Sequence, residues 1–317
     1  MFDPLPRPDT VAGTPRKTGV EIEFGGLKEA AAAQVVARTL GGTARQTDRV
    51  DWIVEGTRIG TVKVYLDIFL HQKKQSLLRD TVLDAGHDLI PVEIVTEPLD
   101  RDGLLALEST IAPLRDAGAL GSAAGIFYGF GVHLNVETPG EDAHDIVPIL
   151  LAWALIEQWS RLMAPINPTR RLLPFSDPYP ARLTDALVEL GPDAALDRVI
   201  ATYLKHAASR NYGLDMLPLF AHLYPQEVKA RMGADQAVRP TFHFRLPDCL
   251  IDEPGWSLDR AWQRWLAVER VACNPEILSE LVLAWRVNRD TFALTRPDWA
   301  DVSGAILKRH AMAGGAA

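Results

Sequence analysis

Cysteine is nearly absent from this chain. Only Cys249 and Cys273 occur in 317 residues, far apart and in no Cys-x-x-Cys or Cys–His spacing. That excludes a disulfide framework and a zinc-finger-type site, and it fits reduced, buried thiols in a cytoplasmic protein. No Lys- or Arg-rich run exists and the formal net charge is −8, which argues against nucleic acid as a partner. No apolar run reaches the roughly 20 residues needed to cross a bilayer. The longest, Ile146 to Ile156, continues into Glu157, Gln158 and Arg161 and reads as a buried core helix. The opening residues Met1 to Thr10 lack the apolar stretch of a signal peptide. The motifs GxxxxGK[ST], GxSxG and HExxH are missing, as is GxGxxG after a strand. If ATP is used, it is held without a P-loop, and metal-held phosphates replace cradling by backbone amides.

What is present is ordinary for a globular protein: 47% apolar and 23% charged residues, with mean hydropathy near zero. The length suits one large domain or two modest ones with a sizeable core. Residues 1–18 read as an irregular arm, and 19–317 as a single catalytic domain. Strands are expected near 19–25, 50–55, 61–68, 92–97 and 132–137, with helices over 27–40, 71–86 and 101–117. After Pro139 helices dominate, near 142–163, 180–190, 193–209, 257–273 and 276–285. One strand-like insertion, 241–246, interrupts them. The fold class is therefore α+β: an antiparallel sheet, mostly from the first half, backed by helices, with a helical C-terminal half.

Four glutamates carry the strongest chemical signal. Glu21 and Glu23 lie in Gly19-Val-Glu-Ile-Glu-Phe24, and Glu93 and Glu97 in Val92-Glu-Ile-Val-Thr-Glu-Pro98. Strand side chains alternate faces, so each pair shares a face while Val20, Ile22, Phe24, Val92 and Ile94 suit a core. Like charges held so close repel unless a cation sits between them. Oxygen ligands point to a hard ion, Mg²⁺ or Mn²⁺, and Mg²⁺ usually arrives with phosphates.

A third polar face is formed by His133, Asn135 and Glu137 in Val132-His-Leu-Asn-Val-Glu137, preceded by Gly129 and Gly131, which let backbone approach a ligand. Lys63 could meet a phosphate or be a solvated surface lysine, and Asp67 could cap a helix, end a hairpin or join the site. The basic set is Arg239 and Arg245 around Thr241-Phe-His-Phe244, with Arg170-Arg171 and Arg210-Asn211 as lesser candidates. Arginine binds carboxylate and phosphate bidentately and keeps its charge. Phe127, Tyr128 and Phe130 either shape a pocket or belong to the core.

In order, these stretches resemble the amidoligase family, carboxylate-amine ligases related to glutamine synthetase and glutamate-cysteine ligase. Arg210-Asn-Tyr-Gly-Leu-Asp-Met-Leu-Pro218 and Arg239…Arg245-Leu-Pro247 are similar to its later motifs. The resemblance implies an antiparallel sheet forming an open funnel, with Mg²⁺ between ATP phosphates and strand carboxylates. It implies Glu21, Glu23, Glu93 and Glu97 as metal or catalytic acids, and His133 with Asn135 on the nucleotide or metal side. Arg239 and Arg245 are implied to contact phosphate and substrate carboxylate. One departure stands out: relatives often carry Glu where this chain has His243.

The expected activity is ATP-dependent amide formation through an acyl phosphate. The partners would be a small-molecule or peptide carboxylate and an amine, with a partner amidotransferase supplying ammonia as one possible source. A guanidino-kinase-like phosphotransferase and a non-catalytic nucleotide- or peptide-binding module are the alternatives. An open sheet edge makes a homodimer conceivable.

Overall fold

A computed structural model describes residues 2–66, 90–124, 129–167, 176–233 and 237–310. Its centre is one eight-stranded antiparallel sheet: β1 (Thr18–Phe24), β2 (Thr43–Asp48), β3 (Asp51–Thr57), β4 (Gly60–Leu66), β5 (Val92–Thr96), β6 (Val132–Glu137), β7 (Leu214–Asp215) and β8 (Thr241–Phe244). The order across the sheet is β2-β3-β4-β5-β1-β6-β8-β7, so the sheet is open and β1 lies between β5 and β6. Helices follow as α1 (Glu29–Leu40), α2 (Arg101–Glu108), α3 (Ile111–Asp116), α4 (Ala143–Met163), α5 (Ala181–Leu190), α6 (Leu196–His206), α7 (Leu217–Leu223), α8 (Pro225–Met232), α9 (Leu258–Ala272), α10 (Pro275–Asp290) and α11 (Trp299–Arg309). The architecture is α+β, as the alternation in the first half implies.

One face of the sheet is mostly apolar. Val20, Ile22, Phe24, Val62, Val64, Ile94, Leu134, Phe242 and Phe244 are all buried there. Helix α1 covers β2 to β5, and α9 packs behind β6. Trp153 of α4 meets the Phe244 ring edge-on at 5.3 Å, and Trp265 of α9 lies 5.3 Å from Phe242. Each such aromatic side chain removes roughly 2–3 kcal/mol of apolar surface from water, which holds the strands in register. Helix α4 has the length and apolarity to cross a bilayer, but 72% of its most apolar window is buried inside the protein. It is the central core helix expected over 142–163.

Several expectations need correction. The 101–117 helix is two helices, because the Ser109 and Thr110 hydroxyls bond back to the Ala106 and Leu107 carbonyls and Pro113 offers no N–H. Strands β2 and β7 were not anticipated, while helices α7, α8 and α11 fall inside the stretches expected to be helical, 141–240 and 255–310, without having been delimited there. The 1–18 arm is irregular but docked: Phe2 and Leu5 are buried, and the Arg16 guanidinium pairs with Glu269. Cys249 is buried as expected, whereas Cys273 is exposed. The helix expected over 71–86, Asp67, Arg170-Arg171, Phe127 and Tyr128 lie outside the described residues.

Candidate metal and phosphate site

Register builds the site. Glu23 of β1 lies directly opposite Glu93 of β5, and Glu21 opposite His133 of β6. Asn135 of β6 lies opposite His243 of β8, which lies opposite Asp215 of β7. All seven occupy the face away from the helices, because their strand neighbours fill the core. That polar face is also secluded. Glu93, His133, Asn135, His243 and Asp215 are buried, and the Glu21 and Glu23 side chains keep only 12% and 13% exposure.

Glu21 is the hub. Its Oε2 accepts from His133 Nδ1 at 2.8 Å, and its Oε1 accepts from Asn135 Nδ2 at 2.9 Å and Arg239 Nη1 at 3.1 Å. Asn135 Oδ1 accepts from the same Arg239 nitrogen at 3.1 Å and from His243 Nδ1 at 2.7 Å. A carboxylate only accepts and a guanidinium only donates, so the Asn135 amide can face just one way. His243 Nδ1 then carries a proton, as does His133 Nδ1 against Glu21. In the neutral His243 ring the lone pair is left on Nε2. Glu23 Oε2 accepts the Gly131 N–H at 2.7 Å, and its Oε1 lies 3.7 Å from His133 Nε2.

The electrostatics follow. Burial pushes the Glu21 pKa up, but the hydrogen bond and charge of His133, aided by His243 and Asn135, outweigh it and hold the carboxyl well below the usual range. Burial, reinforced by Arg245, His133 and Arg210 against the pull of Glu21, drives His243 well below an ordinary histidine, so its ring is neutral at neutral pH.

Two groups of side chains bring ligand atoms within 4.8 Å of one another: Glu23, Glu93 and His133, and Glu21, His133 and His243. His133 belongs to both. Two carboxylates directly opposite across a strand pair repel, and burial sharpens the cost. A divalent cation relieves that repulsion, so the donor set fits a metal. A third group, Asp142, His144 and Asp145 at the start of α4, differs because Arg7 pairs with Asp145 at 2.6 Å.

Not every expected residue joins. Glu97 is exposed, one residue beyond β5, with its carboxylate packed so closely on Gly60 that a Cβ there would lie 2.4 Å from Oε2. It shares a face with Glu93 but is four residues along the strand, about 13 Å away. Lys63 is exposed on β4, level with Val95 and thus two strands from Glu21. Phe130 is core. Arg245 donates from Nη1 to the Arg210 carbonyl at 2.7 Å, while Arg210 Nε donates to Asp215 Oδ2 at 3.0 Å. Asp215 is fully buried and also caps α7 through the Leu217 N–H at 3.0 Å.

The family described as "putative amidoligase enzyme" matches residues 14–267, a span containing every strand and every residue of this site. The chain belongs to the amidoligase family. No curated protein matches it. Within this amidoligase, sequence reasoning missed Asp215. Two β7 residues give no periodicity, and only the pairing with β8 places Asp215 beside His243.

Proposed function

We propose that this amidoligase is an ATP- and Mg²⁺- or Mn²⁺-dependent carboxylate-amine ligase on a glutamine-synthetase-like sheet. The observation that carries the reading is the opposed Glu23–Glu93 pair beside His133, with Arg239 reaching Glu21 from just before β8 and Arg245 just after it. Opposed carboxylates on one flank and arginines on the other suit a metal-bound triphosphate whose γ-group is transferred.

A substrate carboxylate oxygen attacks the γ-phosphorus, and the bond to the ADP oxygen breaks. The amine nitrogen then attacks the acyl-phosphate carbon, phosphate leaves with the bonding pair, and the nitrogen loses a proton. A divalent cation held by Glu23, Glu93 and His133 would supply charge neutralisation at the phosphates. The chain's own residues do the positioning. Arg239, tethered to Glu21 and Asn135, presents its remaining N–H groups to an anion at the face. Arg245 is oriented by the Arg210 carbonyl, and Asp215 fixes Arg210. Seclusion of the face keeps water from the acyl phosphate. The amine is ammonia from a partner amidotransferase, a free amino acid or a side chain. A cytoplasmic setting with ample ATP fits this chemistry.

The test is product analysis with Mg-ATP and a panel of acids and amines. Amine-dependent release of ADP and free phosphate with a new amide supports the ligase. A stable phosphoramidate would replace it with a guanidino-kinase-like transfer, and nucleotide binding without turnover across the panel would leave a binding module.

A further inference from the structure

Among the described residues, the large apolar side chains left in water are not scattered. Four of them fall within residues 283–294: Leu283, Val287, Phe292 and Leu294, at 64%, 61%, 70% and 87% exposure. Leu283 and Val287 stand one turn apart on the outer face of α10, whose inner face buries Ile277, Leu281 and Trp285. Phe292 and Leu294 follow just past the end of that helix. Beside this ridge lies a hollow. A cleft lined by Pro192, Leu278, Val282 and Leu283 opens toward the start of α10. Single exposed apolar side chains are ordinary on a soluble protein, whereas contiguous ones mark contact surfaces.

We propose that α10 and the turn after it form the contact of a twofold homodimer, with α10 packed antiparallel on α10 of a second copy. The proposal is independent of the chemistry on the sheet. Three observations commit the surface to a second copy of this chain. The first is self-complementarity. Ridge and hollow belong to the same helix and are displaced along it, and a twofold contact requires that what one copy projects the other receives. An axis midway between Leu283 and Val287 sets Leu283 of each copy against Val287 of the other. Phe292, roughly 10 Å from that axis along the helix, then comes level with Leu278 in the opposite cleft. Ser279, small and exposed, continues the Leu283–Val287 row and leaves a groove for the facing ridge.

The second observation is charge. Glu276 is exposed in the first turn of α10, and the Arg286 side chain is 48% exposed near its end. Antiparallel packing brings the acidic start of one helix toward the basic end of the other and opposes the two helix dipoles, whereas parallel packing would set like against like. Glu280 pairs with Arg309, and Arg289 with Asp185 at 2.9 Å, so the flanks present matched charges to their own copies. The third is area. The four side chains together expose roughly 300 Å² of apolar surface, at about 100 Å² for each one. With the cleft walls and polar flanks around it, that core fits a small specific interface of about 1,200 Å² in total, and hence a dimer with a micromolar Kd.

The sheet edges do not compete for this role. Strand β7 has two residues, and β2, Thr43–Asp48, carries Arg45 and Asp48 and no large apolar side chain. Charge on an exposed edge strand guards against pairing with another copy.

Sedimentation equilibrium of the full-length protein, over concentrations bracketing about 10 µM, tests the proposal. The wild-type chain is expected to show a monomer–dimer equilibrium within that range. Leu283→Lys, Val287→Glu and Phe292→Ser should each weaken the dimer by about tenfold or more, with the thermal midpoint of the monomer unchanged because all three positions are exposed. Mixing Leu283→Lys with Val287→Glu should restore pairing between the two variants, since the antiparallel register sets the introduced charges against each other. A wild-type chain that stays monomeric throughout, a dimer that all three substitutions leave intact, or mixed variants that fail to pair would overturn the proposal. The wild-type measurement decides even if one variant misfolds.

Discussion

Two buried charged ensembles in this molecule resemble each other in seclusion and differ in completeness. Arg16 and Glu269 are a closed pair, with side chains 0% and 1% exposed. Arg16 donates bidentately, Nη1 to Oε2 at 2.9 Å and Nη2 to Oε1 at 2.7 Å, while its Nε and Nη1 also satisfy the Glu137 and Arg7 carbonyls. Trp265 Nε1 adds a bond to Glu269 at 2.9 Å. The Glu21–Glu23–Glu93 face is nearly as sheltered, with the Glu21 and Glu23 side chains 12% and 13% exposed, but two of its carboxylates oppose each other directly across the β1–β5 pair. A buried charge pair with every bond made holds the fold together; buried like charges set face to face mark where a cationic ligand fits.

The sharpest way to break that contrast is at the closed pair. Arg16→Met strands Glu269 without its cation and is expected to cost about 3–5 kcal/mol in denaturant unfolding, while Arg16→Met with Glu269→Leu recovers most of it. Loss of Mn²⁺ or ATP binding at equal stability would show that the pair belongs to the functional face after all.

Opposite behaviour is expected at Glu23 and Glu93. Glu23→Gln or Glu93→Gln should reduce ADP release by about 10²–10³-fold, yet leave the thermal midpoint unchanged or raised, because a like charge has been removed. Near-normal turnover in both variants would sink the ligase assignment. Arg239, tethered but half-exposed, is expected to fall between the two ensembles. Arg239→Gln should weaken ATP use by about tenfold, seen mainly in KM, with stability unmoved.

The smallest effect tests an intermediate case. Glu108 accepts the Leu258 N–H at the start of α9 at 2.9 Å, and burial raises its pKa to about 7 despite that bond. A carboxyl raised in the folded state contributes stability fully below its unfolded value near 4.5, and that contribution is lost as pH rises through about 7. Glu108→Gln should therefore flatten the decline of the thermal midpoint between those pH values, by about 2 °C or less. An unchanged slope would show that backbone amides alone compensate this carboxylate.

Much of this was legible in the residues. Period 2 placed Glu21 and Glu23 on one polar face and Val20, Ile22 and Phe24 in the core, and the α+β layering follows from the same pattern. Glu97 shows the limit. Alternation assigns a face but says nothing of distance along it, and Glu97 stands beside Gly60 rather than in the cluster. Strand β2 escaped notice because Thr-Ala-Arg-Gln-Thr-Asp is almost wholly exposed at a sheet edge, held by bonds to β3 and not by burial. The bounds of helices α7 and α8, inside a stretch expected to be helical, were hidden by their brevity and by prolines that open each of them.

The sequence by itself determined the inventory of the site: acids on β1 and β5, histidine and asparagine on β6, arginines around β8, and the family to which they belong. Local alternation suffices for that, since a side chain's face depends only on its own strand. Tertiary structure alone decided which of them meet. Strand order β5-β1-β6-β8-β7 is set by long-range hydrogen bonding and by packing of the apolar face on α1, α4 and α9. That order puts Glu23 against Glu93 and brings His133 and His243 to one another. It sets His243 against Asn135, with its ring 5.4 Å from that of His133.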